Sequence, residues 1–110
     1  MNDKALVVLM TTNNHDEAEK IAEILIEKRL AACVQILPHM TSIYHWQGNI
    51  EKGAEFLMLA KTLSANFAEL EKTVRENHSY TVPEIVAIKA ENVSAPYFNW
   101  LKENLVVSGQ

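Results

Sequence analysis

The chain has 110 residues, of which 48% are hydrophobic, and a net charge of −4. This length and composition predict one folded domain, residues 1–110, with its own hydrophobic core, and exclude a disordered chain. Lys and Arg residues form no cluster beyond the pair Lys28-Arg29, which argues against a basic surface for nucleic acid or anionic lipid. The one cysteine, Cys33, excludes an internal disulfide and a Cys-rich zinc site.

The start of the sequence bears on location. The apolar run from Ala5 to Met10 has only six residues, far fewer than the ~20 that cross a bilayer. Asparagine and acidic residues follow where a signal peptidase would need small residues. We therefore predict no signal peptide, no membrane partner and a cytoplasmic location.

The first half of the chain predicts a strand, a helix and two long strands. Residues 5–12 form an apolar run typical of a buried strand, and a helix capped by Asn13 or Asn14 should follow and end near Leu30. Its apolar positions at helical spacing are Ala18, Ile21, Ala22 and Leu25. The strands should cover residues 32–46, with a bend at Pro38, and residues 51–62.

The second half predicts a helix, a strand and a final helix. Ser64 should cap the first of these helices, which should end near Asn77 or His78. Residues 83–91 should form a strand, and Ser94 should cap the last helix. The resulting order, β-α-β-β-α-β-α, predicts an α+β fold: a ferredoxin-like βαββαβ sandwich with an additional C-terminal helix.

One predicted strand has apolar side chains on both faces, and a single chain is expected to bury only one of them. Residues 56–60, Phe-Leu-Met-Leu-Ala, are apolar on both faces of their strand, whereas an antiparallel strand usually leaves one face in water. A helix covers one face, and a neighbouring copy of the chain is the natural cover for the other. The two hairpin strands are also longer than the others and should project, so Tyr44, Trp46 and Phe56 are predicted to lie at an interface between copies.

Three segments carry a resemblance to a known family. They are Ala-Ala-Cys at 31–33 followed by Ser-x-Tyr-x-Trp-x-Gly at 42–48, the segment HSYTVPEI at 78–85, and YFNWL at 97–101. Together they resemble the CutA divalent-ion tolerance family. The resemblance implies a homotrimer of ferredoxin-like subunits, a role in tolerance of copper and other divalent cations, and a likeness of architecture to the trimeric PII signalling proteins.

The resemblance also implies candidate metal ligands. The family's proposed copper ligands, a cysteine late in the first strand and two adjacent histidines, fall at Met10, Asn77 and His78 in this sequence. His78 and Met10 suit copper, and Glu84 could complete the site, so we expect weak binding of copper or another divalent cation. Ser79 stands where the family usually has proline.

Other interpretations of the same residues remain open. A PII-like regulator would bind a small anion or metabolite in a cleft between subunits lined by Lys61, Tyr80 and Glu84, and a scaffold would bind only a protein partner. His78 could also be an ordinary residue at a helix C-terminus. The only glycines are Gly48, Gly53 and Gly109, so no phosphate-binding loop is present, and no triad or metalloprotease motif suggests an enzyme.

Overall fold

The computed structural model describes residues 3–106, and its helices and strands follow the predicted order. The elements are β1 (Ala5–Thr12), α1 (His15–Glu27), β2 (Cys33–Trp46), β3 (Asn49–Leu63), a 3-10 turn (Ser64–Asn66), α2 (Phe67–Asn77), β4 (Ile85–Lys89) and α3 (Ala95–Glu103). Compared with the sequence prediction, β3 is longer at both ends, β4 is shorter at both ends, and α1 ends three residues before Leu30.

The four strands form one antiparallel sheet in the order β2-β3-β1-β4. Helices α1 and α2 cover one face of it, because the apolar stripes of both helices pack against alternate residues of the strands. The buried residues of this core include Val8, Met10, Ile21, Leu25, Met58, Ala60, Leu70 and Val74. The fold is therefore α+β with a two-layer core.

The opposite face, which we call the open face, is covered only at one end. There Leu101 of α3 and Leu105, which follows the helix, pack on Ala5 and Leu63. The rest of the open face carries half-buried or exposed apolar side chains: Val7, Leu9, Leu37, Leu57, Leu59, Val86 and Ile88. The sequence prediction for residues 56–60 is thus confirmed on the helix side, where Met58 and Ala60 are fully buried.

Strand β2 bends at the proline that the sequence singled out. Leu37 pairs with Leu57 and Met40 with Glu55, so two residues, Pro38 and His39, lie opposite one. This is a β-bulge, and His39 adopts a positive φ of 63° within it. Because β2 is an edge strand, the missing N–H of Pro38 costs the sheet no interior hydrogen bond.

Beyond the bulge, β2 and β3 continue as a two-stranded hairpin that we call the arm, residues 40–55. Strand β1 pairs with β3 only as far as Phe56, so the arm has no third strand. Its tip is a two-residue turn in which Gln47 and Gly48 both have positive φ, of 51° and 83°. This geometry is that of the type I′ turns that connect twisted antiparallel strands.

The helix termini differ from prediction at two serines. Asn14 caps α1 as expected, since its Oδ1 accepts the N–H of Glu17 at 2.9 Å. Ser64 does not cap α2: the 3-10 turn precedes that helix, and the Ser64 hydroxyl instead accepts the N–H of Lys4 and donates to Asp3. Ser94 stands at the N-cap of α3, but its side chain makes no capping hydrogen bond.

Candidate functional site

Polar side chains from four parts of the chain meet at the C-terminal end of β1, in a cluster that we call the junction. The N-terminal turn of α1, the end of β1, the loop between α2 and β4, and the base of the arm all contribute to it. Its members are Thr12, Glu17, Ser42, Glu55, His78, Ser79 and Tyr80.

His78 lies at the centre of the junction, with its side chain only 1% exposed. Its Nε2 is 2.7 Å from the carbonyl oxygen of Thr11, and its Nδ1 accepts the backbone N–H of Tyr80 at 3.0 Å. A carbonyl can only accept and a backbone N–H can only donate, so these two partners assign the proton to Nε2. Both ring nitrogens therefore have hydrogen-bond partners within the chain.

Glu17 links the loop to helix α1. Its Oε2 accepts the hydroxyl of Thr12 at 2.8 Å and that of Ser79 at 3.1 Å, and lies 3.4 Å from Nδ1 of His78. Burial raises the pKa of Glu17, but the hydrogen bonds from Thr12 and Ser79 outweigh it, so the pKa is lowered overall. The carboxylate is thus held in its charged form by neutral donors.

Tyr80 links the same loop to the arm. Its hydroxyl donates to Oε2 of Glu55 at 2.7 Å, and the hydroxyl of Ser42 donates to the other oxygen of that carboxylate at 2.6 Å. Burial, followed by the hydrogen bond to Glu55, raises the pKa of Tyr80 well above its usual range. Both effects favour the neutral hydroxyl, which is the form that donates to Glu55.

The three predicted metal ligands lie in different environments. The ring nitrogens of His78 are both engaged, as described above, and the thioether of Met10 is 1% exposed in the core beneath the helices. Glu84 is exposed in the loop before β4. As they stand, these donors do not fit a copper ion, because a metal would have to displace existing hydrogen bonds or core packing.

The three predicted cleft residues are also dispersed within one protomer. Lys61 lies on the open face, where its Nζ donates to Oε1 of Gln35 at 2.7 Å. It lies six positions along β3 from Glu55, the partner of Tyr80, which corresponds to ~20 Å. A cleft that contains Lys61 and Tyr80 would therefore need side chains from two copies of the chain.

The predicted interface residues lie on or beside the arm. Tyr44 is 50% exposed and Trp46 is 60% exposed, both on the arm itself. Phe56 is half-buried at the base of the arm, with its ring edge-on to His15 at a centroid distance of 5.3 Å. The exposure of the first two leaves them free to contact another molecule.

The sequence reasoning missed Glu17, Ser42 and Glu55 as partners of His78 and Tyr80. They come from positions far apart in the chain, and only the sheet register and the arm bring them together. The place of Glu17 in the first turn of α1 indicates only an acidic residue that suits the positive end of a helix dipole. No local signal in the sequence distinguishes it from the other glutamates of α1.

Two further observations limit the chemistry of the molecule. Among residues 3–106, ligand atoms of His15, Asp16 and Glu19 lie within 4.8 Å of one another, but all three side chains are exposed at the start of α1. In the same range, no helix is long and apolar enough to cross a membrane. The junction itself offers hydroxyls and carboxylates that already bind one another.

The fold and the junction define a small α+β protein with a long arm and a largely uncovered sheet face. The family model of the CutA1 divalent ion tolerance protein matches residues 6–104. A divalent-cation tolerance protein CutA from Thermus thermophilus is 47% identical over 98 residues, which are 89% of this chain and 95% of that protein. The chain belongs to the CutA1 divalent ion tolerance family.

Two other relatives show the range of the family. Protein CutA from Homo sapiens is 43% identical over 94 residues, which are 86% of this chain but only 52% of that longer protein. The solved structure of a protein described as the periplasmic divalent cation tolerance protein CutA from Archaeoglobus fulgidus is 42% identical, with a TM-score of 0.88 over 91% of this chain and 97% of that one.

Proposed function

We propose that this chain forms a cytoplasmic homotrimer of ferredoxin-like subunits that takes part, without being an enzyme, in tolerance of divalent cations, copper among them. The observation that carries the proposal is the match to the CutA1 family over residues 6–104, which spans the arm, the junction and all three helices. The names of the Thermus thermophilus and Archaeoglobus fulgidus proteins describe cation tolerance and not a reaction.

The sheet supports the ferredoxin-like part of the proposal. Its order, β2-β3-β1-β4, places the two β-α-β halves of the chain side by side, with the first strand of each half in the middle of the sheet. Helices α1 and α2 pack on the same face. This is the arrangement expected of a split βαβ sandwich.

The open face supports assembly into an oligomer. Leu37, Val86 and Ile88 are each 45–50% exposed on it, beside the half-buried Leu57 and Leu59. A contiguous apolar surface of this kind marks an interaction site in a soluble protein. Sedimentation of the purified protein at micromolar concentration should show three protomers, and a stable lone protomer would contradict the proposal.

Cation binding is proposed to be weak and confined to exposed side chains. The net charge of −4 attracts cations in general, while exposure of His15, Asp16 and Glu19 to water keeps any one contact weak. Calorimetric titration with Cu(II) and Zn(II) should give dissociation constants above ~10 μM, the range of −7 kcal/mol or weaker. A dissociation constant in the nanomolar range would contradict this part of the proposal.

The tolerance role itself needs a cellular measurement. A strain that lacks the gene should grow less well than its parent on raised copper, and the wild-type gene should restore growth. Fractionation of the same strain, with a periplasmic enzyme as marker, should place the protein in the cytoplasm. Equal growth of both strains over a full range of copper, zinc and cobalt concentrations would contradict the tolerance role.

A second candidate function is regulation by an anionic ligand bound between subunits. Lys61 favours it, because its ammonium group on the open face contacts an amide oxygen of Gln35, and no carboxylate partner within 4.0 Å is found for it among residues 3–106. A neighbouring subunit could bring Tyr80 and Glu84 towards it. A metabolite present at 100 times its dissociation constant should add about 2.7 kcal/mol of stability, and Lys61→Gln should abolish that gain.

A further inference from the structure

We propose that His78 is a positioning residue that fixes the loop of residues 78–84 against β1 and so sets Tyr80 at the base of the arm, and that it serves in this way instead of as a cation ligand. The inference stands on the hydrogen bonds of the junction. It does not depend on whether the protein acts in cation tolerance.

The first step is the environment of the imidazole ring. Its side chain is 1% exposed, and its two nitrogens contact a carbonyl oxygen at 2.7 Å and a backbone N–H at 3.0 Å. A ring with one donor and one acceptor, each matched to an opposite group, needs no further partner. Leaving either of these buried groups unpaired would be unfavourable.

The second step leads from His78 to the arm. Nδ1 of the ring accepts the backbone N–H of Tyr80. The imidazole also lies beside the Tyr80 ring, at a centroid distance of 4.7 Å. The Tyr80 hydroxyl then donates to Glu55, which also binds Ser42 across the arm. Removing the imidazole therefore frees the backbone that places the Tyr80 hydroxyl.

The third step is the competition with a metal. A cation on Nδ1 would have to displace the Tyr80 N–H, and the carboxylate oxygen nearest to it, Oε2 of Glu17, already accepts two hydroxyls. A cation on Nε2 would have to displace the ring proton, which is hydrogen-bonded to the carbonyl oxygen of Thr11. Neither position offers the ligand number that copper or zinc requires.

Two substitutions separate the two hydrogen bonds of the ring. In His78→Asn the side-chain oxygen can still accept the N–H two residues ahead, as in an Asx turn, but cannot reach the Thr11 carbonyl. In His78→Ala both bonds are lost. Amide hydrogen exchange of the Tyr80 N–H should therefore remain slow in wild type and His78→Asn and become fast in His78→Ala.

The exchange experiment decides the positioning role. Equal protection of the Tyr80 N–H in all three proteins would overturn it. If His78→Ala fails to fold, the same measurement on His78→Gln, whose longer side chain misplaces the acceptor, replaces it. Fast exchange in His78→Gln then supports the positioning role, and slow exchange opposes it.

Nitrogen-15 NMR of the histidine rings decides the metal question. In wild type, His78 should show a proton on Nε2 and none on Nδ1. One molar equivalent of Zn(II) or of Ag(I), an air-stable stand-in for Cu(I), should leave both signals in place. The exposed rings of His15, His39 and His45 serve as internal controls that can respond. Movement of the His78 signals, or loss of metal binding in His78→Asn, would overturn the proposal.

Discussion

Arg29 occupies a position after α1 at which many helices have glycine. The N–H of Leu30 bonds to the carbonyl of Leu25 at 2.8 Å and that of Arg29 to the carbonyl of Ile26 at 3.0 Å. This is the Schellman pattern, and it requires Arg29 to adopt its positive φ of 57°. A residue with a Cβ is strained there, and the burial of both Leu25 and Leu30 offsets that strain.

We predict that Arg29→Gly stabilises the protein by about 0.5–1 kcal/mol, because it removes the strain at positive φ at some cost in chain entropy. Urea unfolding at one fixed protein concentration measures the change. The neighbouring Lys28, with φ of −83°, provides the control: Lys28→Gly should lower stability by a similar amount. A lower midpoint for Arg29→Gly would contradict the strain assignment.

Glu17 gives the protein a specific sensitivity to acid. Its pKa is lower in the folded state than in the unfolded chain, so folding is favoured by its charged form. That contribution is fully present above the unfolded value, near pH ~4.3, and is lost as the pH falls through the lowered folded value. Glu17→Gln should therefore flatten the decline in unfolding free energy below that pH. Urea unfolding of wild type and Glu17→Gln across this pH range measures the difference, and identical declines would contradict it.

At the scale of elements, the turn of the arm makes a sharp test of backbone conformation. Gly48 has a positive φ of 83°, whereas a Cβ on Gly53 would meet only the Tyr44 hydroxyl, at an ordinary 3.8 Å. Gly48→Ala should cost about 1 kcal/mol. Gly53→Ala, the same change in the same hairpin, should be neutral or stabilising. The unfolding midpoint should fall for Gly48→Ala and hold or rise for Gly53→Ala, and equal losses would refute this assignment.

The elements could be predicted from the sequence wherever one local pattern dominates. The stripe of Ala18 to Leu25 determines α1, and the turn residues at 47–49 separate β2 from β3. Pro38 indicates a bend, although the two-against-one pairing there depends on β3. The 3-10 turn was missed because Ser64 bonds to Lys4 and Asp3, which are 60 residues away in the chain.

The junction could be predicted only in part, for the same physical reason. His78 and Tyr80 stand close together in a distinctive segment, so the sequence draws attention to them. Their partners, Glu17 and Glu55, are fixed by tertiary contacts that no short-range spacing records. The hydrogen bonds that make His78 a poor ligand were therefore beyond sequence reasoning, and the resemblance to a family could not supply them.

At the scale of the whole molecule, the open face determines the proposed assembly. Ile88 is 50% exposed on it and pairs with Val7 of β1. Ile88→Lys should dissociate the oligomer, because a charge cannot be buried there without a partner. Val82→Lys, at a loop residue that is 85% exposed, is the control and should leave assembly intact. Light scattering measures both, and an intact oligomer for Ile88→Lys would place the interface elsewhere.

The arm has a consequence for how the protein responds to dilution. Two strands without a third are at best marginally stable in water, while the core beneath α1 and α2 is closed within one chain. If neighbouring subunits cover the arm, the fraction of chains with an ordered arm depends on protein concentration. The folding of the core does not. Dilution towards the nanomolar range should then melt residues 40–55 first and leave a folded body with a loosened hairpin.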